Sequence, residues 1–260
     1  MGHPFDPAGC TALVTGANQG IGRGFVEVLL ERGARRVYAT ARRPGTLSEI
    51  VALAPERIVP LPLEVTDDAA RRAAAAAAGD VTLLVNNAGI PGSRDAAERR
   101  FLAARSLDDA RLVMETDCWA PLELCRLFAP AILRNGGGAI CNILSIGALF
   151  CLPEYSSYSL AKAAFAVGTA GVRAELARQR VLVSGVFTAG VTTRMTPAGK
   201  TDGITPVAHA RDVLDAMARG EEDIFAGTGA EAMREQIRRD PKAFERQVVE
   251  RFHTAPLGIA

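Results

Sequence analysis

A chain of 260 residues is long enough to bury a substantial core, in one large domain or two small ones. With 48% hydrophobic, 23% charged and 5% aromatic residues, its composition is that of a folded globular protein and argues against disorder. The 30 Lys and Arg are offset by 29 Asp and Glu, so no global basic field exists to collect phosphates along a nucleic acid, and no such partner is expected.

Cys10, Cys118, Cys125, Cys141 and Cys151 are odd in number and show no paired C-x-x-C spacing, while His3, His209 and His253 lie far apart. Neither a zinc site nor a disulfide framework is predicted. The opening MGHPFDPAGC lacks a charged region followed by an apolar run, and no stretch is long enough to span a bilayer. A reduced, cytoplasmic setting without membrane association is expected.

In chain order, an apolar run at 10–15 is followed by a helical pattern at 21–32, and strands are predicted again at 36–40 and 58–63. A helix over 67–78 follows, with Asp67 and Asp68 as candidate caps, then a strand at 81–86. The alanine run at 71–78 reads as a surface helix in the crossover position, alanine being the best helix former. A helix over 106–134 capped by Ser106, a strand at 139–144, a helix over 156–179 and a strand at 181–187 complete the regular pattern. Strands that are apolar almost throughout, alternating with helices, imply a parallel sheet covered on both faces, the doubly wound pattern. No repeat or linker divides the chain, so one domain over 1–260 is expected. Its less regular section at 188–206 is a predicted substrate lid.

The first strand runs into Thr15, Gly16, Ala17, Asn18, Gln19, Gly20, Ile21 and Gly22, after which a helix begins. Glycines there let the backbone turn tightly and approach a pyrophosphate, whose charge the free amides of a helix N-terminus stabilise. The residue after the second strand selects between the nicotinamide cofactors, because an acid there binds a ribose 2′-hydroxyl and repels a 2′-phosphate. That position is Ala41, followed by Arg42 and Arg43, whose guanidinium groups suit a phosphate dianion. NADP(H) is the expected cofactor. A solvated pair of loop arginines is the plainer reading.

The segment Thr15 to Gly22 reproduces the TGxxxGIG motif, and Asn86-Asn87-Ala88-Gly89 the NNAG motif, so the sequence resembles the short-chain dehydrogenase/reductase family over roughly residues 10–195. The resemblance implies a single Rossmann-fold domain, a parallel sheet of about seven strands, and Asn87, Ala88 and Gly89 bordering the cofactor. It also implies Glu64, with Val65 beside it, near the adenine, where the family usually has an aspartate. After the sixth strand the family's Pro-Gly becomes Ala189-Gly190. Gly190, Val191, Thr192 and Thr193 are expected at the nicotinamide, with either threonine able to meet its amide.

Tyr158 and Lys162 have the spacing Y-x-x-x-K, which puts both side chains on one helical face. An ammonium beside a phenol favours phenolate and is expected to lower the tyrosine pKa toward working pH. With Ser145 thirteen residues upstream, the set resembles the family's catalytic Ser, Tyr and Lys. Ser145 is then expected to hydrogen-bond the substrate oxygen, Tyr158 to transfer the proton, and Lys162 also to bind the nicotinamide ribose. Asp117 stands where the family has an asparagine that helps hold a relay water, and it is included in the catalytic set. Tyr155 lacks a lysine four residues on and is assigned to the pocket wall.

The resulting expectation is an NADP(H)-dependent oxidoreductase acting on an alcohol or carbonyl compound, assembled as a homodimer or homotetramer through helices 106–134 and 156–179. Leu149, Phe150, Leu152, Val191, Met195, Pro197 and Ile204 suggest an apolar substrate. The competing readings are a non-catalytic NADP(H)-binding sensor or scaffold, which Asp117 favours, and an epimerase or dehydratase on the same scaffold.

Overall fold

The computed structural model describes residues 3–193, 195 and 202–252. β1 (Thr11–Val14) leads into α1 (Gly20–Glu31), β2 (Arg36–Ala41), the short α2 (Ser48–Val51) and β3 (Ile58–Pro62). The chain continues through α3 (Asp68–Ala77), β4 (Leu83–Asn86), α4 (Asp108–Met114), a π-helical turn (Glu115–Trp119) and α5 (Ala120–Arg134). β5 (Gly138–Ile143), α6 (Ser156–Leu176), β6 (Val181–Thr188), α7 (Pro206–Ala218), β7 (Asp223–Ala226), α8 (Ala230–Arg239) and α9 (Pro241–Phe252) follow. No helix among the described residues is long and apolar enough to cross a membrane.

The seven strands form one parallel sheet in the order β3-β2-β1-β4-β5-β6-β7. The chain winds outward from β1 to β3 and then crosses back to β4, so the crevice beyond the carboxyl ends of β1 and β4 is the topological switch point where such sheets bind ligands. Helices cover both faces. Val14 and Val85 pack with Phe25 and Leu29 of α1 and Leu214 of α7, whereas Leu13 and Leu84 pack with Leu124 and Phe128 of α5. Alternate residues of each strand thus face opposite cores, and burial on both sides explains the continuous apolar runs.

The helix expected over 106–134 is interrupted at Glu115–Trp119 by the wide turn, and its cap is also displaced. Leu107 occupies the capping position, while the Ser106 hydroxyl accepts from the Asp108 N–H at 3.3 Å. Asp67 caps α3 as expected, accepting from the Ala69 and Ala70 amides, and Asp68 lies inside the first turn. The alanine run is not wholly at the surface: Ala74, Ala78 and Arg71 are buried, because α3 lays that face on the sheet. Tyr155 ends a short turn just before α6, with the Arg99 guanidinium 4.3 Å from its ring centroid.

A chain of polar contacts ties the sheet to α6. Asn86 of β4 and Asn142 of β5 are register partners, and the Asn86 amide donates to Oδ1 of Asn142 at 2.9 Å. Asn142 donates in turn to the Thr169 hydroxyl of α6 at 3.0 Å, and Thr169 to the Phe165 carbonyl at 2.8 Å. Buried amides need such partners, since leaving one unmet costs about 1–3 kcal/mol.

Candidate active site

The loop between β1 and α1 is fastened to the loop after β4. The Thr15 hydroxyl accepts from the Asn87 and Ala88 amides at 2.8 and 2.9 Å, and the Asn87 side chain donates to the Thr15 carbonyl at 2.8 Å. Gly16 has φ +63°, a conformation that side chains disfavour. A β-carbon on Gly22 would lie 2.4 Å from the Gly16 carbonyl oxygen and 2.5 Å from the Asn87 amide nitrogen, so only glycine closes this turn. At the start of α1, Gln19 makes no side-chain cap and the first turn holds no acid, which leaves N-terminal amides available for an anion. Ile21 packs against the core, whereas Asn18 is half-buried and Gln19 exposed.

Arg42 and Arg43 follow β2 and are both exposed. Nε of Arg42 lies 3.9 Å from the Glu64 carboxylate, so the arginine leans over the end of β3. Glu64 accepts from the Thr66 amide and hydroxyl, and Val65 is buried, its carbonyl held by Arg71 at 2.6 Å.

Beyond β5, Ser145 caps a short turn, its hydroxyl oxygen accepting from the Gly147 N–H at 3.1 Å. That contact leaves the Ser145 hydrogen free to donate. Tyr158 and Lys162 project from the first turns of α6, and the Lys162 ammonium lies 5.6 Å from the Tyr158 ring centroid. Ser145 also reaches the Tyr158 hydroxyl. Lys162 donates to the Ile143 carbonyl at 3.0 Å and faces Oδ2 of Asp117 at 3.2 Å. The second contact joins two charges, and among the described residues Oδ2 meets no donor in aligned hydrogen-bond geometry. Oδ1 of Asp117 accepts from the Ile90 N–H at 2.8 Å. Lys162 and Asp117 are 4% and 1% exposed, so water screens the pair little.

Burial draws the Lys162 ammonium down, but Asp117 and then Tyr158 outweigh it and hold its pKa above the ordinary value. Burial pushes the Asp117 carboxyl up against the pull of Lys162 and the Ile90 amide. We take the charged ammonium as the anchor of this coupled pair, because its position between carboxylate, carbonyl and phenol suits a cation. For Tyr158 burial also dominates and pushes the phenol up; Lys162 lowers it, Asp117 raises it and Ser145 lowers it. The net direction is upward, contrary to the lowering expected from Lys162 alone, because the phenol is desolvated and Asp117 offsets the ammonium.

The remaining expected contacts lie after β6. Thr192 donates its hydroxyl to the Gly203 carbonyl at 3.1 Å, and a β-carbon on Gly20 would meet the Thr193 methyl at 3.6 Å. Thr193 therefore sits against the glycine turn. Gly190 and Val191 are held across the segment by the Ile204 N–H to Gly190 bond at 2.9 Å and the Val191 to Ile204 bridge. Within the expected lid, residues 194 and 196–201, including Pro197, lie outside the described residues, as does His253. Reading the sequence did not single out the Thr15 hydroxyl, the Ile90 amide or the Ile143 carbonyl. The first was visible as the opening residue of the glycine motif; the other two act through backbone atoms that no residue type announces.

Residues 10–202 match the family model described as short chain dehydrogenase. A 3-oxoacyl-acyl-carrier-protein reductase of Vibrio harveyi is 31% identical over 194 residues, covering 73% of this chain and 77% of the relative. A short chain dehydrogenase from Burkholderia cenocepacia, crystallised in complex with NADP, superposes with a TM-score of 0.84 at 37% identity, covering 94% of this chain and 99% of that one. The NADPH-bound carbonyl reductase from chicken fatty liver superposes with a TM-score of 0.72 at 28% identity, over 83% and 89% of the two chains. With its family motifs built into a seven-stranded parallel sheet, the chain belongs to the short-chain dehydrogenase/reductase family of oxidoreductases.

Proposed function

We propose that the protein is an NADP(H)-dependent carbonyl reductase, working reversibly on an alcohol. The observation that carries this reading is the continuity of the loop after β4. Asn87 clasps the glycine turn at one end, and Ile90 holds the Asp117 to Lys162 pair at the other. A nucleotide site and a proton-transfer site are thereby one unit.

The glycine turn offers the clearance a pyrophosphate needs. Gly16, Asn18, Gln19, Gly20, Ile21 and Gly22 would hold the diphosphate, Arg42 and Arg43 the 2′-phosphate, and Glu64 and Val65 the adenine end. The exposed guanidinium groups and the absence of an acid at Ala41 favour the phosphorylated cofactor, which the Burkholderia cenocepacia structure contains. Asn87, Ala88 and Gly89 would border the nicotinamide half with Gly190 and Val191. Thr193, which lies against the glycine turn, is the better placed threonine for its amide.

Bound NADPH supplies a hydride to the carbonyl carbon. Tyr158 gives its hydroxyl proton to the carbonyl oxygen, Ser145 donates a hydrogen bond to that same oxygen, and Lys162 steadies the phenolate left behind. Solvent protons restore the phenol. In the oxidation direction the phenolate takes the alcohol proton. Phe150, packed edge-on against Phe244 at 4.8 Å, and Ile204 give the substrate side an apolar wall, and 188–206 is its lid in this reading. Exposed Leu112, Trp119, Leu160 and Val167 support self-association through α4, the wide turn and α6 into a dimer or tetramer, in the cytoplasm. The sensor reading is disfavoured, because Ser145, Tyr158 and Lys162 are all in place.

The test is incubation of the protein with NADPH, and in parallel NADH, against a panel of ketones and aldehydes, following cofactor consumption and alcohol formation. Stoichiometric NADPH-linked reduction is expected. NADPH binding with no turnover of any compound would favour the sensor, and faster turnover with NADH would overturn the cofactor assignment.

A further inference from the structure

We propose that Asp117 is a charge-balancing positioning residue, which by pairing with the Lys162 ammonium withholds part of that charge from Tyr158 and keeps Tyr158 in its proton-bearing form. The inference rests on the proton-transfer role given to Tyr158 above. An asparagine at this place accepts and donates without net charge; an aspartate adds one negative charge 3.2 Å from the ammonium that acts on the phenol. Asp117 and Lys162 are buried and little screened, so that charge is felt at the neighbouring phenol as well as at the lysine.

Among the described residues, the surroundings leave Asp117 as the group able to do this. From its own turn, Cys118 is buried, and burial pushes its thiol up so that it stays neutral. Glu115 faces Arg71 of α3 at 3.9 Å. From the strand side the Ile143 carbonyl and Ser145 offer dipoles only, and from α6 the neighbour is the Phe165 ring, 5.9 Å from the ammonium. From the loop after β4 comes the Ile90 amide, which fixes Oδ1 so that Oδ2 points at Lys162. The wide turn Glu115–Trp119 supplies the inward aim, as such turns often do at functional sites.

Tyr158 donates a proton in reduction and accepts one in oxidation, so its midpoint sets the alkaline limit of the first and the acid limit of the second. The decisive measurement is a spectroscopic titration that needs no turnover. Phenolate absorbance is followed against pH in the parent protein and in Asp117→Asn, each with its Tyr158→Phe counterpart to subtract Tyr38 and Tyr155. The Tyr158 midpoint is expected to fall in Asp117→Asn by on the order of one pH unit. In active protein the acid limb of alcohol oxidation and the alkaline limb of carbonyl reduction should move down with it. Asp117→Ser, equally uncharged, carries the same expectation and stands in if the first variant does not fold. An unchanged or raised midpoint, as would follow if Lys162 lost its proton without its partner, overturns the proposal. A shifted midpoint in a protein that turns over no carbonyl compound would uphold it and defeat the reductase assignment separately.

Discussion

Gly89 and Asp117 compete for the same space: a β-carbon on Gly89 would lie 2.6 Å from Oδ2 of Asp117. The carboxylate reaches Lys162 because residue 89 has no side chain. Gly89→Ala is therefore expected to push Asp117 off the ammonium, lowering stability by about 1–3 kcal/mol through overpacking of a closed site. Thermal melts and steady-state rates check this, with kcat/KM expected to fall about tenfold or more, equivalent to about 1.4 kcal/mol in the barrier. Unchanged stability and rate would mean that the carboxylate moves aside freely.

Tyr158→Phe removes the proposed proton donor and leaves the glycine turn and Arg42 untouched. Hydride transfer should be abolished while NADPH affinity, read by fluorescence titration, stays within about twofold, a difference of some 0.4 kcal/mol. Parent-like turnover would remove Tyr158 from the mechanism.

Arg42→Ala should weaken NADPH far more than NADH, because only the former carries the 2′-phosphate. The side chain is 75% exposed, so the loss belongs at the lower end of charge-assisted contacts, about tenfold in Kd. Isothermal titration with both cofactors is the check; equal losses would show that Arg42 does not sense the phosphate.

His209 of α7 is fully buried, with Nε2 3.1 Å from the Thr188 hydroxyl and its ring edge-on to Phe25. Burial pulls its pKa down from 6.5 to about 4. Between those values the unfolded chain binds a proton that the folded chain refuses. The neutral ring's contribution is thus complete above pH 6.5 and is lost as pH falls through 4, up to about 3 kcal/mol. Urea unfolding of parent and His209→Gln at neutral and mildly acid pH isolates this share from that of the carboxylates. Parallel pH slopes in the two proteins would contradict it.

The strands were legible because Leu13, Val14, Leu84 and Val85 are buried on alternate faces, and burial on both leaves no polar residue to mask the run. β7 escaped a strand assignment: Asp223 is exposed and the strand, only four residues long, lies at the sheet edge. The wide turn was hidden for another reason. Glu115 to Trp119 fits an ordinary helix residue by residue, and only the folded chain shows the extra residue per turn. Spacing put Tyr158 and Lys162 on one helical face, where the fold has them near Ser145, yet the balance of charge at Tyr158 depends on how closely Asp117 approaches, a distance no spacing contains.

The partnership of Asn86 with Asn142 reaches beyond the sheet interior. Ser145 lies three residues after Asn142 on the same strand exit, and α6, which carries Tyr158 and Lys162, is joined to Asn142 through Thr169. Sliding β5 by one residue would turn Asn142 into the opposite core, take from the Asn86 amide its shortest hydrogen bond and swing Ser145 away from Tyr158. The two amides therefore work as a reading-frame lock: a chain misfolded by a single step there would be compact, hydrogen-bonded along every strand, and inert.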